Sequence, residues 1–568
     1  MLLRTLTIEN FRSFRKIVVE LDAATILIGE NNTGKTSFLE AIQLALTRNP
    51  SRRANIFDDY DFHLADAAGR PGDAGPISLT LDFAEAAEGD WQTDVRRDLS
   101  DIIVYDGGNC GHVILRIRCS RATERSESEL DWAFLDAAGN PLSVDRQKTA
   151  NLFKLQNLVP VFYLSALRDA AREFQSRGRY WSPFLRDAPI ESGIRADLEQ
   201  QLTELNAKVV QAHEPLRDVR DYLLKAQGIV ELASTEPVTI DALPGRVFDM
   251  LSRAQVNIAS KTGAKLPLGR HGAGTQSLSV ILLFQAFASS MLKKDYDENS
   301  EPLLALEEPE AHLHPSAVRA LASSLLALPG QKVVATHSGD LLSAVPLTSI
   351  RRFCRKKGDL RVGQIRPGIL SPEDERKLNY HVRMSRGELL FARCWLLVEG
   401  ETEYVILRNT ADLLGFDLDM AGVRIVSFTA AGIEPFLKAA GALEIEWFCL
   451  TDSDQAGQNY RRTVVRNLGT RPEKEHLASL PEVNMEVFLA ANGFGSIFEN
   501  HVSEQKRKNL LKKPGQKDYW ENVVQCVGDK AKPSIALEVA NAMRQTGRQA
   551  VPAFLEGVLA SSLTLAQR

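Results

Sequence analysis

Two apolar runs that each end in acid constrain this chain more than any other feature. Leu396-Leu397-Val398 runs into Glu399-Gly400-Glu401-Thr402-Glu403, and about fifty residues later Leu450-Thr451 runs into Asp452-Ser453-Asp454. Short continuous apolar runs of this kind read as buried parallel strands. In an open α/β sheet, such strands present ligands at their carboxyl ends. Carboxylates crowded at one edge repel one another unless a cation lies between them. Hard divalent ions held by carboxylates suit in-line attack at phosphorus. The pattern predicts a metal- and phosphate-handling edge centred on Glu399, Asp452 and Asp454. Glu403, one helical turn beyond Glu399, can face the same ion. Glu401 reads instead as a solvated first-turn residue favoured by the helix dipole. Glu486 is a further acidic ligand candidate, against the plainer reading of an exposed helix residue. Lys532, just before Pro533, is a candidate cation for the strained phosphate.

A second phosphate motif stands near the N-terminus. Gly29-Glu30-Asn31-Asn32-Thr33-Gly34-Lys35-Thr36-Ser37 follows the strand-like Thr25-Ile26-Leu27-Ile28 and opens an amphipathic segment reaching Leu46. This is the G-x-x-x-x-G-K-[ST] loop in its required strand-before, helix-after context. Its backbone N–H groups and the helix N-terminus bind the phosphates of ATP. Lys35 reaches the β- and γ-phosphates, and Thr36 binds Mg²⁺. Leu303-Leu304-Ala305-Leu306 supplies a partner strand ending in Glu307 and Glu308. Glu307 is expected to hold Mg²⁺, and Glu308 to orient or activate the attacking water. His337, after the strand-like Lys332 to Thr336, is placed to sense the γ-phosphate.

At 568 residues the chain is too long for one core. Charged residues make up 25% and the net charge is −5, so nucleic-acid binding must rest on local patches. Two basic runs qualify: Arg351-Arg352-Phe353-Cys354-Arg355-Lys356-Lys357, and Lys506-Arg507-Lys508 with Lys512-Lys513. The plain reading of each is a solvated turn. The six cysteines contain no C-x-x-C pair, so neither a zinc site nor a disulfide framework is indicated. Arg4, Glu9 and Arg12 break up any signal-peptide core, and no run reaches the length of a membrane span. The expectation is a cytoplasmic protein with no membrane partner.

Helical spacing from about Ile190 to Ala226 predicts an arm set between strand-rich halves, read either as a helix pair packed on its own domain or as a dimerisation surface. Pro372 to Arg386 reads as a charged linker. The expected class is α/β, divided into a first head half (1–170), a helical insertion (171–255), a second head half (256–380), an acid-edged α/β domain (391–500) and a helical C-terminal part (501–568).

The separation of the phosphate loop from its Glu307-Glu308 strand resembles the ABC-type ATPase heads of the SMC and RecF group. In such heads a signature loop completes the partner's ATP site. Gly272-Ala273-Gly274-Thr275-Gln276-Ser277 resembles a divergent form of it, which makes Gly272 and Gly274 nucleotide-binding candidates. Glu399-Gly400 with Asp452-x-Asp454 resembles the Toprim fold of topoisomerases, primases and several nucleases. The two together, with Glu307 to Pro315 reading E-E-P-E-A-H-L-H-P and with Leu164 to Asp169, resemble the overcoming-lysogenization-defect (OLD) family of ATP-dependent nucleases. The Gabija nuclease subunit and certain retron effectors share that layout. The resemblance implies metal-dependent nicking or cleavage of DNA with Mg²⁺, or Mn²⁺ in its place. It also implies a homodimer or higher assembly, frequent roles in phage defence, and a helicase or other defence partner. It matches Lys532 to the family's late lysine through its K-P-x-x-A-L segment.

The competing class is a nucleic-acid-binding repair ATPase whose Toprim domain does not cut. An RNA-directed Toprim nuclease is also open, because this chemistry attacks phosphate and does not read the sugar. A topoisomerase would need a nucleophilic tyrosine on strand-passage domains. A primase would need a zinc module that the cysteines do not supply.

Overall fold

The first strands alternate because one face of their sheet is packed while the other meets solvent. In β1 (Leu3–Phe11) the inward residues Leu3, Leu6, Ile8 and Phe11 are all buried. Its antiparallel sheet also takes β2 (Phe14–Glu20) and, after β3 (Ala24–Gly29) has left for a second sheet, β4 (Ile77–Ala84), β5 (Val104–Tyr105), β6 (Gly111–Arg121) and β7 (Ser128–Leu135). The path runs β2-β1-β4-β6-β5, with β7 also pairing with β6. The computed structural model describes the chain apart from residues 48–55, 65–68, 72, 74, 122–127, 165–189, 226–239, 245, 252–255, 260–262, 264, 291–295, 357, 386, 509, 511, 517, 529 and 530. Most of the Leu164 to Asp169 segment and parts of the 171–255 insertion lie outside the described residues.

In the second sheet, β3 is joined by β8 (Val161–Leu164) and, beyond a small ribbon of β9 (Asn257–Ala259) and β10 (Lys265–Pro267), by β11 (Leu303–Glu307), β12 (Gln331–Ala335), β13 (Ile350–Lys356) and β14 (Asp359–Gly363). The order is β14-β13-β3-β12-β11-β8, all parallel except β14. This order sets the ends of β3, β12 and β11 side by side, so Gly29, Thr336 and Glu307 share one edge. Helix α1 (Lys35–Leu46) buries Phe38, Leu39 and Ile42 against the face that looks toward the antiparallel sheet. The insertion contributes α2 (Ser192–Ala212) and α3 (Glu214–Lys225), with Pro215 in the first turn of α3, where its missing N–H costs nothing. Helix α4 (Ala273–Ser290) follows.

The third sheet is parallel, in the order β16-β15-β17-β18: β15 (Cys394–Val398), β16 (Val423–Ser427), β17 (Glu446–Thr451) and β18 (Leu477–Ser479). β15 and β17 are neighbours, as the acid-ended runs predict. The C-terminal helices cover one face, where Ile535, Val539 and Met543 pack with Leu396 and Val398. The other face is covered by the helices at 434–442 and 455–467. One core cluster holds their Phe436, Leu437 and Val464 with Trp395, Leu397 and Trp447, together with Ile26, Ile28 and Leu306 of the head.

Two expectations are corrected here. The supposed linker is a helix, α5 (Pro372–Met384), capped by the Ser371 hydroxyl and burying Leu378 and Val382. Four-residue spacing gave it an apolar stripe that its surrounding charge hid. The basic run at 351–357 is not a surface turn, for its described part forms β13 and buries Arg351 and Arg352, leaving Arg355 exposed. Arg352 donates to the carbonyls of Leu390, Ala392, Leu443 and Glu444, so its charge is spent joining the two units. β7 was missed at the sequence level.

Candidate functional site

The loop after β3 borders a cavity of about 590 Å³ walled by Asn31, Asn32, Thr33, Gly34, Lys35, Thr36 and Ser37, with Glu307, Glu308 and His337 opposite. α1 has no capping side chain and no acid in its first turn, which leaves its N-terminus suited to an anion. Gly34 takes φ +90°, and a Cβ there would lie 2.6 Å from the Phe14 ring, so only glycine fits. Lys35 Nζ donates to the carbonyls of Gly29 at 2.8 Å and Glu30 at 2.9 Å. Burial pulls the Lys35 pKa down to about 8, against the pull of Glu308, Glu307 and Glu30.

Thr36 Oγ1 donates to Glu307, and the Tyr163 hydroxyl donates to the other Glu307 oxygen at 3.1 Å. Glu308 adopts φ +43°, a strained conformation for a non-glycine residue. His337 Nε2 lies 3.9 Å from Glu308, and burial, then Lys35, lowers its pKa, which favours the neutral ring. Glu310 orders this corner by accepting from the Thr336 hydroxyl at 2.6 Å and the His337 N–H at 3.1 Å. Gly272 and Gly274 are not in the cavity wall. Gly274 instead packs against the His312 carbonyl of its own chain, where a Cβ would lie at 3.2 Å. Arg12 and Tyr163 had no sequence signal, because only strand order brings them to this edge, and Arg355 was read only as part of a basic run.

A second cavity, of about 370 Å³, opens where β15 and β17 end. Its wall brings together Glu399, Glu403, Asp452, Asp454, Glu486 and Lys532, together with Glu401, Thr402, Thr429 and Asn484. Glu399 accepts from the Asp452 N–H at 2.8 Å, and its own carbonyl accepts from the hydroxyls of Ser427, at 3.2 Å, and Thr429. Glu403, in α6 (Glu401–Leu414), accepts from the Gly400 N–H at 2.9 Å and is buried. Asp454 caps α7 (Gln455–Asn467) by accepting from the Gly457 N–H at 2.7 Å. Glu486 is buried rather than exposed. It accepts from the Thr402 hydroxyl at 3.1 Å and lies 4.0 Å from Lys532 Nζ.

The electrostatics are those of a site short of positive charge. Burial, then the charges of Glu403, Glu399, Glu486 and Asp454, push Asp452 up to about 9. Burial and neighbouring acids push Glu403 up to about 7, and Glu399 is also raised, chiefly by burial. Among the described residues, no three acidic, histidine or cysteine side chains form a closed ion-binding cluster. The cavity offers hard oxygen donors whose repulsion a divalent ion would relieve, and that donor set suits Mg²⁺ or Mn²⁺. Thr402, Thr429 and Asn484 carried no sequence signal.

A phosphate-loop head that shares a core with a four-stranded, acid-edged parallel sheet defines an OLD-type ATPase–Toprim protein. The chain belongs to the family described as protein of unknown function DUF2813, whose profile matches residues 1–388. Residues 390–454 match the Toprim domain profile of overcoming-lysogenization-defect-like proteins. Among curated relatives, the chain is 28% identical to the uncharacterized protein YbjD of Escherichia coli K12, over 100% of this chain and 99% of that one. It is 26% identical to the OLD nuclease of Thermus scotoductus, over 80% of this chain and 82% of that one. It is 21% identical to the endonuclease GajA of Bacillus cereus, over 92% and 86%.

Proposed function

We propose that this protein is an ATP-binding, ATP-regulated and metal-dependent DNA endonuclease. The observation that carries the reading is the acidic cavity at the ends of β15 and β17. Six carboxylates and one lysine line it, and burial, with the charges of the neighbouring acids, pushes Asp452 up to about 9. Glu399, Asp452, Asp454, Glu403 and Glu486 would hold a divalent ion, which would supply a Lewis acid and an activated water at neutral pH. Lys532 stabilises charge developing on the phosphate oxygens. Thr402 and Thr429 hold Glu486 and the Glu399 backbone in place.

In the head, Lys35 and the loop amides bind the ATP phosphates, Thr36 and Glu307 hold Mg²⁺, Glu308 orients water and His337 faces the γ-phosphate. The names of the Thermus and Bacillus relatives support nuclease chemistry. A homodimer or higher assembly through heads and arm, a cytoplasmic location, a role against phage and a helicase-like partner complete the reading. Among the described residues, no helix is long and apolar enough to cross a membrane.

The test is cleavage of matched DNA and RNA duplexes with Mg²⁺ or Mn²⁺ at graded ATP. DNA cleavage that depends on metal and changes with ATP supports the proposal. Cleavage of RNA alone moves it to the RNA-directed alternative. Tight DNA binding without cutting favours the repair ATPase.

A further inference from the structure

We propose that the basic lobe formed by α8 (Glu504–Arg507) and the segment that leads from it to α9 (Tyr519–Val527) docks the sugar–phosphate backbone of a DNA duplex and feeds it to the acidic cavity. The inference rests on reading that cavity as a DNA-cleaving site. Between Ser503 and Lys532 the sequence has eight Lys or Arg against four Asp or Glu, while the whole chain carries −5. Lys506, Arg507, Lys508, Lys512 and Lys513 are exposed. In the other basic run Arg351 and Arg352 are buried, Lys356 pairs with Glu444 and Glu446, and Arg355 borders the phosphate-loop cavity, so the run near α8 is the more open electrostatic footprint of the two.

Position supplies the second observation. A Cβ on Gly528 would lie 3.2 Å from the Lys506 ammonium, so the basic lobe touches the turn before α10 (Lys532–Thr546). The Ala531 N–H donates to the Gly528 carbonyl at 3.2 Å, and the next residue is Lys532, which lines the acidic cavity. The positive surface thus begins one short turn from the proposed scissile phosphate. The carboxylates themselves repel a polyanion, and a cationic surface beside them offsets that repulsion and steers the duplex inward. Contacts of this class read phosphate and no base, so they set affinity and register but not sequence preference.

The test is binding of a fluorescent DNA duplex in EDTA across a salt series, by the wild type and by Lys506→Ala/Arg507→Ala/Lys508→Ala. Each lost phosphate contact removes about 0.9 from the slope of log K against log salt, so the triple variant should flatten it by about 3. Lys512→Ala/Lys513→Ala should flatten it by about 2 and guards against a folding defect in the first variant. Metal-dependent hydrolysis of bis(p-nitrophenyl) phosphate should be unchanged in both. Wild-type affinity and slope in both variants would overturn the inference, as would tighter binding of a matched RNA duplex. If the wild type binds DNA through these lysines but hydrolyses neither DNA nor the small diester, the docking surface stands and the nuclease reading fails.

Discussion

Asp452 is central to the proposed chemistry, because burial and four neighbouring acids act on it together. Raised to about 9, its carboxyl holds a proton at neutral pH until a cation replaces it. Lys532 has the opposite role, placing positive charge 4.0 Å from Glu486. Lys532→Ala should lower the rate constant of cleavage by about 10² or more while leaving thermal stability unchanged, as single-turnover kinetics and calorimetry would show. Equal rates would remove Lys532 from the site. Glu399, Asp452 and Asp454 were legible in the sequence because each ends or follows an apolar strand, which fixes where its side chain emerges. Glu486 was ambiguous because its short helix gives no strand end to read. Thr429 and Tyr163 were invisible, since their contacts depend on which strand lies beside which.

At the scale of elements, close approach of helix and strand holds the acidic edge together. A Cβ on Gly457 would lie 2.1 Å from the Asp452 carbonyl, so α7 sits against the end of β17 only because that residue is glycine. Gly457→Ala should cost about 1–3 kcal/mol and displace Asp452. Chemical denaturation should show the loss, and diester hydrolysis should fall with it. A wild-type midpoint and rate would mean that the edge tolerates the methyl group. β3, β8, β11, β12, β15 and β17 were legible as short apolar runs, whereas β14, β16 and β18 were not anticipated. α5 was not, because charged residues outnumber its apolar stripe, and β13 was misread because basic residues on a strand look the same in sequence as basic residues on a turn. Arg352 shows how such a residue is accommodated, since four carbonyls take up its donors.

Across the whole molecule, the two sites are joined by continuous structure. Glu30 of the phosphate loop pairs with Arg393, with Nη2 at 2.7 Å, and Arg393 precedes β15, whose far end presents Glu399. The Glu30 carbonyl is also a partner of Lys35 Nζ, the group that must turn toward nucleotide phosphates. Both side chains of the pair are half exposed, so the pair adds little to stability and its removal should leave the fold intact. Arg393→Ala should keep ATP affinity within about threefold but make cleavage insensitive to ATP. Retained ATP sensitivity would place the coupling elsewhere.

A second bridge between the units responds to pH. Glu446 is held down at about 2 by His476, 3.8 Å away, and by the Lys356 ammonium of β13 at 2.9 Å, the shorter and stronger contact. A depressed carboxylate contributes stability above its unfolded value of 4.5 and loses it as pH falls toward 2. Glu446→Gln should therefore cost about 2 kcal/mol at pH 7 and little at pH 2, as unfolding at the two pH values would show. The most direct measurement of the central claim is nicking of supercoiled plasmid with Mn²⁺ or Mg²⁺ by wild type, Glu399→Gln and Asp452→Asn. The account predicts metal-dependent nicking by the wild type and a loss of about 10² or more in both variants. Undiminished nicking by both purified variants, or none by the wild type with either metal, would contradict it.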